Sequence, residues 1–220
     1  MQNFDTPAPI AAVVDIPAGS LRFVAADRTD TTVEVRPADA SKRRDVKVAE
    51  QTTVAYADGV LRIAAPAGNQ ILGSSGFIEV TVHLPAGSGV EAKAASAEVR
   101  GVGQLGAVTI EGAHGQIELD EAASVRVTTQ AGDVTVGRLT GSARITTGKG
   151  DIRIAEAERG EVVLRAEAGD VSIAAAAGVS ATLDAGTDYG RIHNALRNTG
   201  NHGLTIYATT AYGDISARSL

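Results

Sequence analysis

Aspartate recurs at one position of a phrase that is repeated in the second half of the chain. In each copy it follows glycine and precedes an apolar residue: Asp133, Asp151, Asp170 and Asp214. Stacked carboxylates could hold a column of calcium ions, which take six to eight oxygen ligands each. The equivalent positions of other copies, however, hold Glu98, Gln116 and Arg191, and a guanidinium cannot coordinate a cation. Aspartate also accepts backbone N–H groups at tight turns that start with glycine. We therefore favour a role in shaping the corner over a metal site.

The remaining chemical groups do not form a recognisable catalytic pattern. The four histidines are His83, His114, His193 and His202. No two of them have the i, i+2 or i, i+4 spacing of a metal-binding pair. The chain has no Gly-x-Ser-x-Gly elbow and no phosphate-binding loop, and we interpret "GVGQLG" at 101–106 as a turn between strands. The sequence thus predicts no catalytic, cofactor-binding or metal-binding residue and no cofactor.

Charged residues at outward strand positions offer a second route to chemistry. They are Glu118, Asp120, Arg126, Arg144, Arg153, Arg165 and Glu167. Such a strip could line the groove of a polysaccharide-cleaving enzyme, or it could be a solvated face with weak ion pairs. Long saccharide grooves usually display aromatic rings, and this half of the chain offers Tyr189, Tyr207 and Tyr212. We favour the solvated face and expect a protein that is not an enzyme.

The elements that carry these residues repeat with a period of about 18 residues. Short strands of alternating apolar residues begin at Val99, Ile117, Val134, Ile152, Val171, Ile192 and Ile215. A second short strand follows each of them, as in Val125–Val127 and Val162–Leu164. Two strands in a repeat of this length are typical of a solenoid whose coils stack in parallel. The pattern predicts a β-solenoid of about six two-strand coils.

One corner of the repeat keeps a constant length. Seven residues separate the last apolar residue of one strand from the first of the next at four successive corners, for example from Ile145 to Ile152. The separation becomes nine from Leu183 to Ile192 and from Ile206 to Ile215. A constant corner predicts that equivalent segments pair in parallel. We expect Ile152 to lie beside Val134 on one side and Val171 on the other, all pointing inward.

The first 95 residues have a different pattern. Strand-like runs alternate with turn signals, and Asp58-Gly59 suits a tight hairpin turn. Residues 38–51 fit one short helix near 39–50, with Asp39 or Ser41 as its N-cap. We predict an all-β protein with an antiparallel N-terminal region at 1–95, which caps a solenoid at 96–220.

Composition narrows the function further. The 220 residues carry a formal net charge of −6, with 3% aromatic residues and no cysteine. A negative chain poor in aromatic rings disfavours nucleic acid and anionic membrane surfaces as partners. The first 20 residues do not read as a signal peptide or a membrane span, so the sequence predicts a cytoplasmic location.

Several segments together resemble one known family. They are "FDTPAPI", "VDIPAGSLRFVAADRTDTTVEVRP", "AEQTTVAYADGVLRIAAP", the repeated "TxxGD[VI]", "YGRIHNAL" and "YGDISARS". In their order they are similar to the bacterial DUF4097 β-strand-repeat family of adhesin-like proteins, along nearly the whole chain. The resemblance implies a solenoid fold and supplies no catalytic residues.

These observations predict a non-enzymatic structural, assembly or interaction scaffold. The alternative is a glycan- or protein-binding module of adhesin type, and a polysaccharide-acting enzyme is a third reading. The final unit, "AYGDISARSL", stops after half a coil with no capping proline or helix. An uncovered coil exposes backbone groups and aliphatic side chains. We therefore expect a homo-oligomer formed through the C-terminal end of the solenoid, and a protein or glycan partner is the further expectation.

Overall fold

The computed structural model describes residues 1–66, 76–200 and 203–220, and its chain forms two compact units, Met1–Gly115 and Gln116–Leu220. The first unit contains these elements: β1 (Gln2–Asp5), β2 (Ala11–Ala26), β3 (Asp30–Pro37), α1 (Arg43–Gln51), β4 (Thr53–Ala57), β5 (Val60–Ala64), β6 (Ile78–Pro85) and β7 (Gly89–His114). The boundary expected between residues 95 and 96 falls inside β7, and the expected assignment of domains stays a prediction.

Strand β2 organises the first unit. It pairs in parallel with β7 along one edge and with β5 and then β6 along the other. Its inward side chains, such as Leu21 and Phe23, are almost fully buried. The expected antiparallel pairs are present as β1–β3, β3–β6 and β4–β5. The strand pairing of this region is nevertheless mixed rather than purely antiparallel, because β2 pairs in parallel with segments that are distant from it in sequence.

Two local predictions concern turns of this unit. The β4–β5 hairpin turns at Asp58 and Gly59, whose φ angles are 50° and 77°, as a tight hairpin turn requires. The interpretation of 101–106 as a turn is wrong, because these residues continue β7. Gly101 and Val102 pair with Phe23 and Val24 of β2, and the next residue, Gly103, has a φ of 78°.

The short helix is present, but its N-cap is neither Asp39 nor Ser41. The N-cap is Lys42, which makes no side-chain capping hydrogen bond. Asp39 instead accepts hydrogen bonds from the backbone N–H and the hydroxyl of Ser41. The helix is anchored by buried Asp45, whose carboxylate accepts the backbone N–H of Phe77 at 3.0 Å. The turn before the helix therefore uses the aspartate that the sequence offered as a cap.

In the described residues of the second unit, 116–200 and 203–220, ten strands have boundaries that follow the repeat. They are β8 (Ile117–Ala131), β9 (Val134–Leu139), β10 (Ala143–Lys149), β11 (Ile152–Ala157), β12 (Gly160–Ala168), β13 (Val171–Ala175), β14 (Ala181–Tyr189), β15 (Ile192–Ala195), β16 (Leu204–Tyr212) and β17 (Ile215–Ser219).

These strands form two parallel ladders, which we call sheet A and sheet B. Sheet A has the order β8–β9–β11–β13–β17–β15. Sheet B has the order β8–β10–β12–β16–β14. As predicted, Ile152 pairs with Val134 and with Val171, and all three side chains are at most 1% exposed. A strand of sheet B and the sheet A strand that follows it make one layer of the stack.

The last layer in sequence is not the last layer in space. The layer of β16 and β17 lies between the layer of β12 and β13 and the layer of β14 and β15. The expectation that the C-terminal unit ends the stack is therefore wrong. The chain passes over one layer between β13 and β14 and returns between β15 and β16. Both connections run from a strand of sheet A to a strand of sheet B, whereas the constant corner runs from sheet B to sheet A.

The layers also correct the predicted register of the last two repeats. Leu164 pairs with Ala208, and Ala208 pairs with Ala185. The last two corners therefore run from Ala185 to Ile192 and from Ala208 to Ile215, which is seven residues in each case. The separation of nine arose because the sequence pattern placed Leu183 and Ile206 at the position that the two alanines occupy. The corner length is constant through all five layers.

Candidate functional site

The repeated aspartates form a ladder of hydrogen bonds along the constant corner. Asp133 accepts the backbone N–H of Asp151 at 2.8 Å, and Asp151 accepts that of Asp170 at 2.8 Å. Asp170 accepts the N–H of Asp214 at 2.7 Å. Each carboxylate thus holds the next layer in register, and the predicted role in shaping the corner is confirmed. The ladder is continuous only because the β16–β17 layer lies next to the layer that contains Asp170.

Arg191 ends this ladder instead of interrupting it. Its backbone N–H donates to Asp214 at 2.9 Å, and its guanidinium contacts the other carboxylate oxygen at 3.1 Å. These two hydrogen bonds, the backbone one foremost, lower the pKa of Asp214. The position that broke the proposed calcium column therefore supplies a counter-charge at the end of the stack.

The glycine before each aspartate allows the layers to approach closely. Gly169 has φ = 149°, and a Cβ built on it would lie 2.1 Å from the carbonyl oxygen of Gly150. Threonine hydroxyls complete the corner, since Thr210 donates to the carbonyl of Gly169 at 2.9 Å. The repeated threonine–glycine–aspartate phrase is consequently a structural corner.

The histidines are dispersed. His83 is half-buried on β6, His114 is exposed at the end of β7 and His193 is exposed on β15, whereas His202 lies outside the described residues. Within residues 1–66, 76–200 and 203–220, no three His, Asp or Glu side chains are placed to share a metal ion. In the same ranges no helix is long and apolar enough to cross a bilayer.

The charged strip divides between the two sheets. Arg126, Arg144 and Arg165 lie on strands of sheet B, and Arg144 contacts Glu161 at 3.9 Å. Arg153 lies on β11 of sheet A, beside Thr135 and Ser172. The seven residues therefore do not line one groove, and the two sheets separate the arginines that the sequence pattern grouped together.

Arg153 instead lines a groove on the outer face of sheet A, which we call the arginine groove. Its volume is about 330 Å³, at the lower end of the range for ligand sites. The lining residues come from three neighbouring strands: Arg153, Ile154 and Ala155 of β11, Ser172, Ile173 and Ala174 of β13, and Ser216 and Arg218 of β17. The groove exists because small side chains separate the two arginines.

The register of the sheet sets the distance between the two arginines. Arg153, Ser172 and Ser216 form one row across the three strands, and Arg218 stands two residues further along β17. With strands ~4.8 Å apart and a rise of ~3.3 Å per residue, the two arginine Cα atoms are roughly 12 Å apart. Two extended arginine side chains can therefore converge on one small ligand above the serines.

The polar groups of this groove are available for a ligand. Arg153 and Arg218 are exposed, and their guanidinium groups make no hydrogen bond or ion pair with the part of the chain that the structure describes. The nearby Arg138, by contrast, is engaged by Glu158, whose carboxylate raises the pKa of Arg138. The floor is closed, since Ala174 is only 3% exposed. The groove is thus a cationic site that contains two half-buried serines and no carboxylate.

Sequence reasoning found one of the four polar groove residues. Arg153 was part of the predicted strip, whereas Ser172, Ser216 and Arg218 were assigned to no site. Periodicity could not reveal the site, because β17 reaches β13 only through the insertion of the last layer. The available signal was the lengthening of the repeat from 19 residues to 21, between Val171 and Ile192, and then to 23, between Ile192 and Ile215.

Comparisons with known proteins identify one family. The model of the Toastrack DUF4097 family matches residues 14–219, and no curated protein matches the chain. Solved structures of similar fold include a candidate cell adhesion protein from Clostridium sporogenes, with 12% identity, a TM-score of 0.43 and coverage of 100% of this chain and 98% of that one. A candidate adhesin from Bacteroides fragilis has 9% identity and a TM-score of 0.45. A candidate lipid-binding protein from Parabacteroides distasonis has 10% identity and a TM-score of 0.45. Each of these two comparisons covers 98% of this chain and 95% of the other chain.

Proposed function

Because the chain belongs to the Toastrack DUF4097 family, we propose that it is a non-enzymatic interaction scaffold that binds a ligand in the arginine groove. The observation that carries this proposal is the pair of exposed arginines, Arg153 and Arg218, on either side of two serines. Neither guanidinium has a partner among the described residues. Charge-assisted hydrogen bonds from arginine are among the stronger polar contacts available to a ligand.

The geometry suits binding better than catalysis. Ser216 pairs with His193 on the neighbouring strand, and a serine beside a histidine is one form of activated nucleophile. No hydrogen bond joins these two side chains in the described part of the chain, and the groove lining holds no carboxylate to orient the imidazole. A histidine without that support is a weak base for serine.

The stack also provides a preorganised surface. Each groove strand is hydrogen-bonded on both edges. Strand β11 lies between β9 and β13, and strand β17 lies between β13 and β15. Buried aliphatic residues such as Ile154 and Ile173 lie directly below the groove. A ligand that binds to such a surface orders few backbone groups, so less of the binding energy is lost to entropy.

Affinity capture tests this function with two double variants of equal charge. Arg153→Gln with Arg218→Gln removes both groove cations, and Arg126→Gln with Arg165→Gln removes two exposed arginines from sheet B. We expect the wild-type protein and the sheet B variant to retain the same ligands from a glycan array and a cell lysate, and the groove variant to lose them. Equal retention by all three proteins, or retention of nothing, would contradict the proposal.

A specific observation favours a second role in assembly. The inward row of sheet A contains Val134, Ile152, Val171 and Ile215, each at most 1% exposed, but its last member, Ile192, is 46% exposed. The β14–β15 layer is therefore the open end of the aliphatic rows in the second unit. We propose that a second copy of the chain covers this open layer, since it presents the same backbone edge and apolar row on which the inner layers stack.

Sedimentation tests the assembly. We expect wild-type oligomers to dissociate when Ile192 is replaced by lysine, with the far-ultraviolet β signal unchanged. Replacing exposed Arg165 by glutamine serves as the surface control and should leave the oligomers intact. A monomeric wild-type mass at high micromolar concentration would rule out this role.

The expected cytoplasmic location stays a prediction.

A further inference from the structure

We propose that the arginine groove recognises a tetrahedral oxyanion, that is, a sulfate or phosphate group, either free or as a monoester on a larger molecule. This inference rests on the proposed binding function and specifies the chemistry of the ligand. The inference is based on the positions of the arginine and serine side chains around the groove.

The donors surround the groove instead of lying on one side of it. Arg153 rises from β11 and Arg218 from β17, with the strand β13 between them. The hydroxyl groups of Ser172 and Ser216 occupy the row that begins at Arg153. A planar carboxylate is satisfied by the two-pronged contact of a single guanidinium. A tetrahedral anion presents oxygens in all directions, so it can accept from both arginines and from the serines below.

The charge of the site excludes other classes of ligand. The lining contains two guanidiniums and no acidic side chain, which disfavours a cation. A neutral ligand would leave both arginines without a counter-charge. The chain as a whole carries a net charge of −6, which repels an extended polyanion beyond the groove. A single compact anionic group fits both the local and the overall charge.

Isothermal titration at constant ionic strength tests the assignment, with inorganic sulfate, inorganic phosphate and acetate as probes. The wild-type protein is compared with three single variants. Arg153→Gln and Arg218→Gln change the groove, and Arg165→Gln is the control on sheet B. We expect sulfate and phosphate to bind the wild-type protein and the control with the same affinity. Each groove variant should bind at least about tenfold more weakly, because a hydrogen bond to a charged group is lost.

The tetrahedral assignment is overturned if acetate binds as tightly as sulfate, if neither tetrahedral anion binds, or if the two groove variants bind like the control. Circular dichroism should show unchanged folding, since both arginines are exposed. Glucose 6-sulfate, glucose 6-phosphate and vesicles that contain phosphatidate then separate the sources of the anion. Tighter binding of one of these than of the inorganic ion supports the proposal and identifies the carrier, and equal binding supports it with the free ion as ligand.

Failure of this inference can be told apart from failure of the proposed function. If capture of ligands depends on Arg153 and Arg218 but sulfate and phosphate do not compete, the groove is a binding site for another chemistry. If capture is the same without the two arginines, the groove is not the binding site and the proposed function fails with it.

Discussion

The insertion of the last layer makes a quantitative prediction about two isoleucines in one row. Ile215 and Ile192 occupy equivalent positions on neighbouring strands, β17 and β15. Ile215 is 0% exposed and Ile192 is 46% exposed. Replacing Ile215 by alanine should cost about 2–5 kcal/mol of unfolding free energy, because the change leaves a cavity between packed layers. In the dissociated chain, Ile192→Ala removes the same three carbon atoms from a half-exposed site, at roughly 0.8 kcal/mol per buried carbon, so it should cost about 1 kcal/mol.

Equilibrium urea unfolding, followed by far-ultraviolet circular dichroism, measures both costs at a protein concentration at which sedimentation shows single chains. The m-value should stay constant, so that a lower midpoint reports stability alone. Ile152→Ala serves as the internal control, because Ile152 is also 0% exposed and lies between two layers. We expect Ile215→Ala to match this control.

The reasoning is refuted if Ile192→Ala destabilises the protein as much as Ile215→Ala, or more. That result would place the C-terminal strand at the end of the stack, as the order of the repeats in the sequence suggested. It would also restore the C-terminal end of the solenoid as the surface through which copies are expected to associate.

Three further predictions concern the aspartate corner. Gly169→Ala should destabilise the protein by about 1–3 kcal/mol, since the φ of Gly169 is 149° and the added Cβ would meet the carbonyl of Gly150. Gly186→Ala is the control, because Gly186 has open space around it, and it should cost less stability in thermal melts. Equal costs for the two variants would refute the close approach of the layers at Gly169. Hydrogen bonds from Arg191 hold the pKa of Asp214 in the folded protein below its ordinary value of 3.8. The stability that ionised Asp214 contributes to the folded state is therefore complete above pH 3.8, and it is lost as the pH falls through the lowered pKa of the folded protein. Asp214→Asn should therefore reduce the loss of stability in acid, and an unchanged acid profile would contradict this. Calcium and a chelator should give the same melting temperature, because the aspartates already accept backbone N–H groups; a shift of several degrees would revive a metal site.

The architecture of the second unit could be read from local patterns. Alternation of apolar residues identified its strands, and the seven-residue corner predicted the pairing of Val134, Ile152 and Val171. The role of the aspartates also followed from local chemistry, since glycine and aspartate favour such turns wherever they occur. The register error at Ala185 and Ala208 has a simple cause: alanine is a weaker apolar signal than the leucine and isoleucine two residues before each of them.

The candidate site could not be read in this way. Arg153 and Arg218 are 65 residues apart, and nothing in the repeat brings them together. In the first unit, likewise, β2 joins β5, β6 and β7, although its sequence predicts only that it is a strand.

The sequence alone determined most strands and, as far as Val171, the corners and the inward rows of the second unit, because these depend on the pattern of neighbouring residues. It did not determine the order of the layers. Every layer offers its neighbours the same backbone donors and acceptors and similar aliphatic rows, so several orders satisfy the local rules equally well. Only packing of the whole unit decides among them: it buries Ile206, Ala208, Ile215 and Ala217 completely between two layers and leaves Ile192 half exposed. That choice, made by tertiary contacts, completes the aspartate ladder and creates the arginine groove.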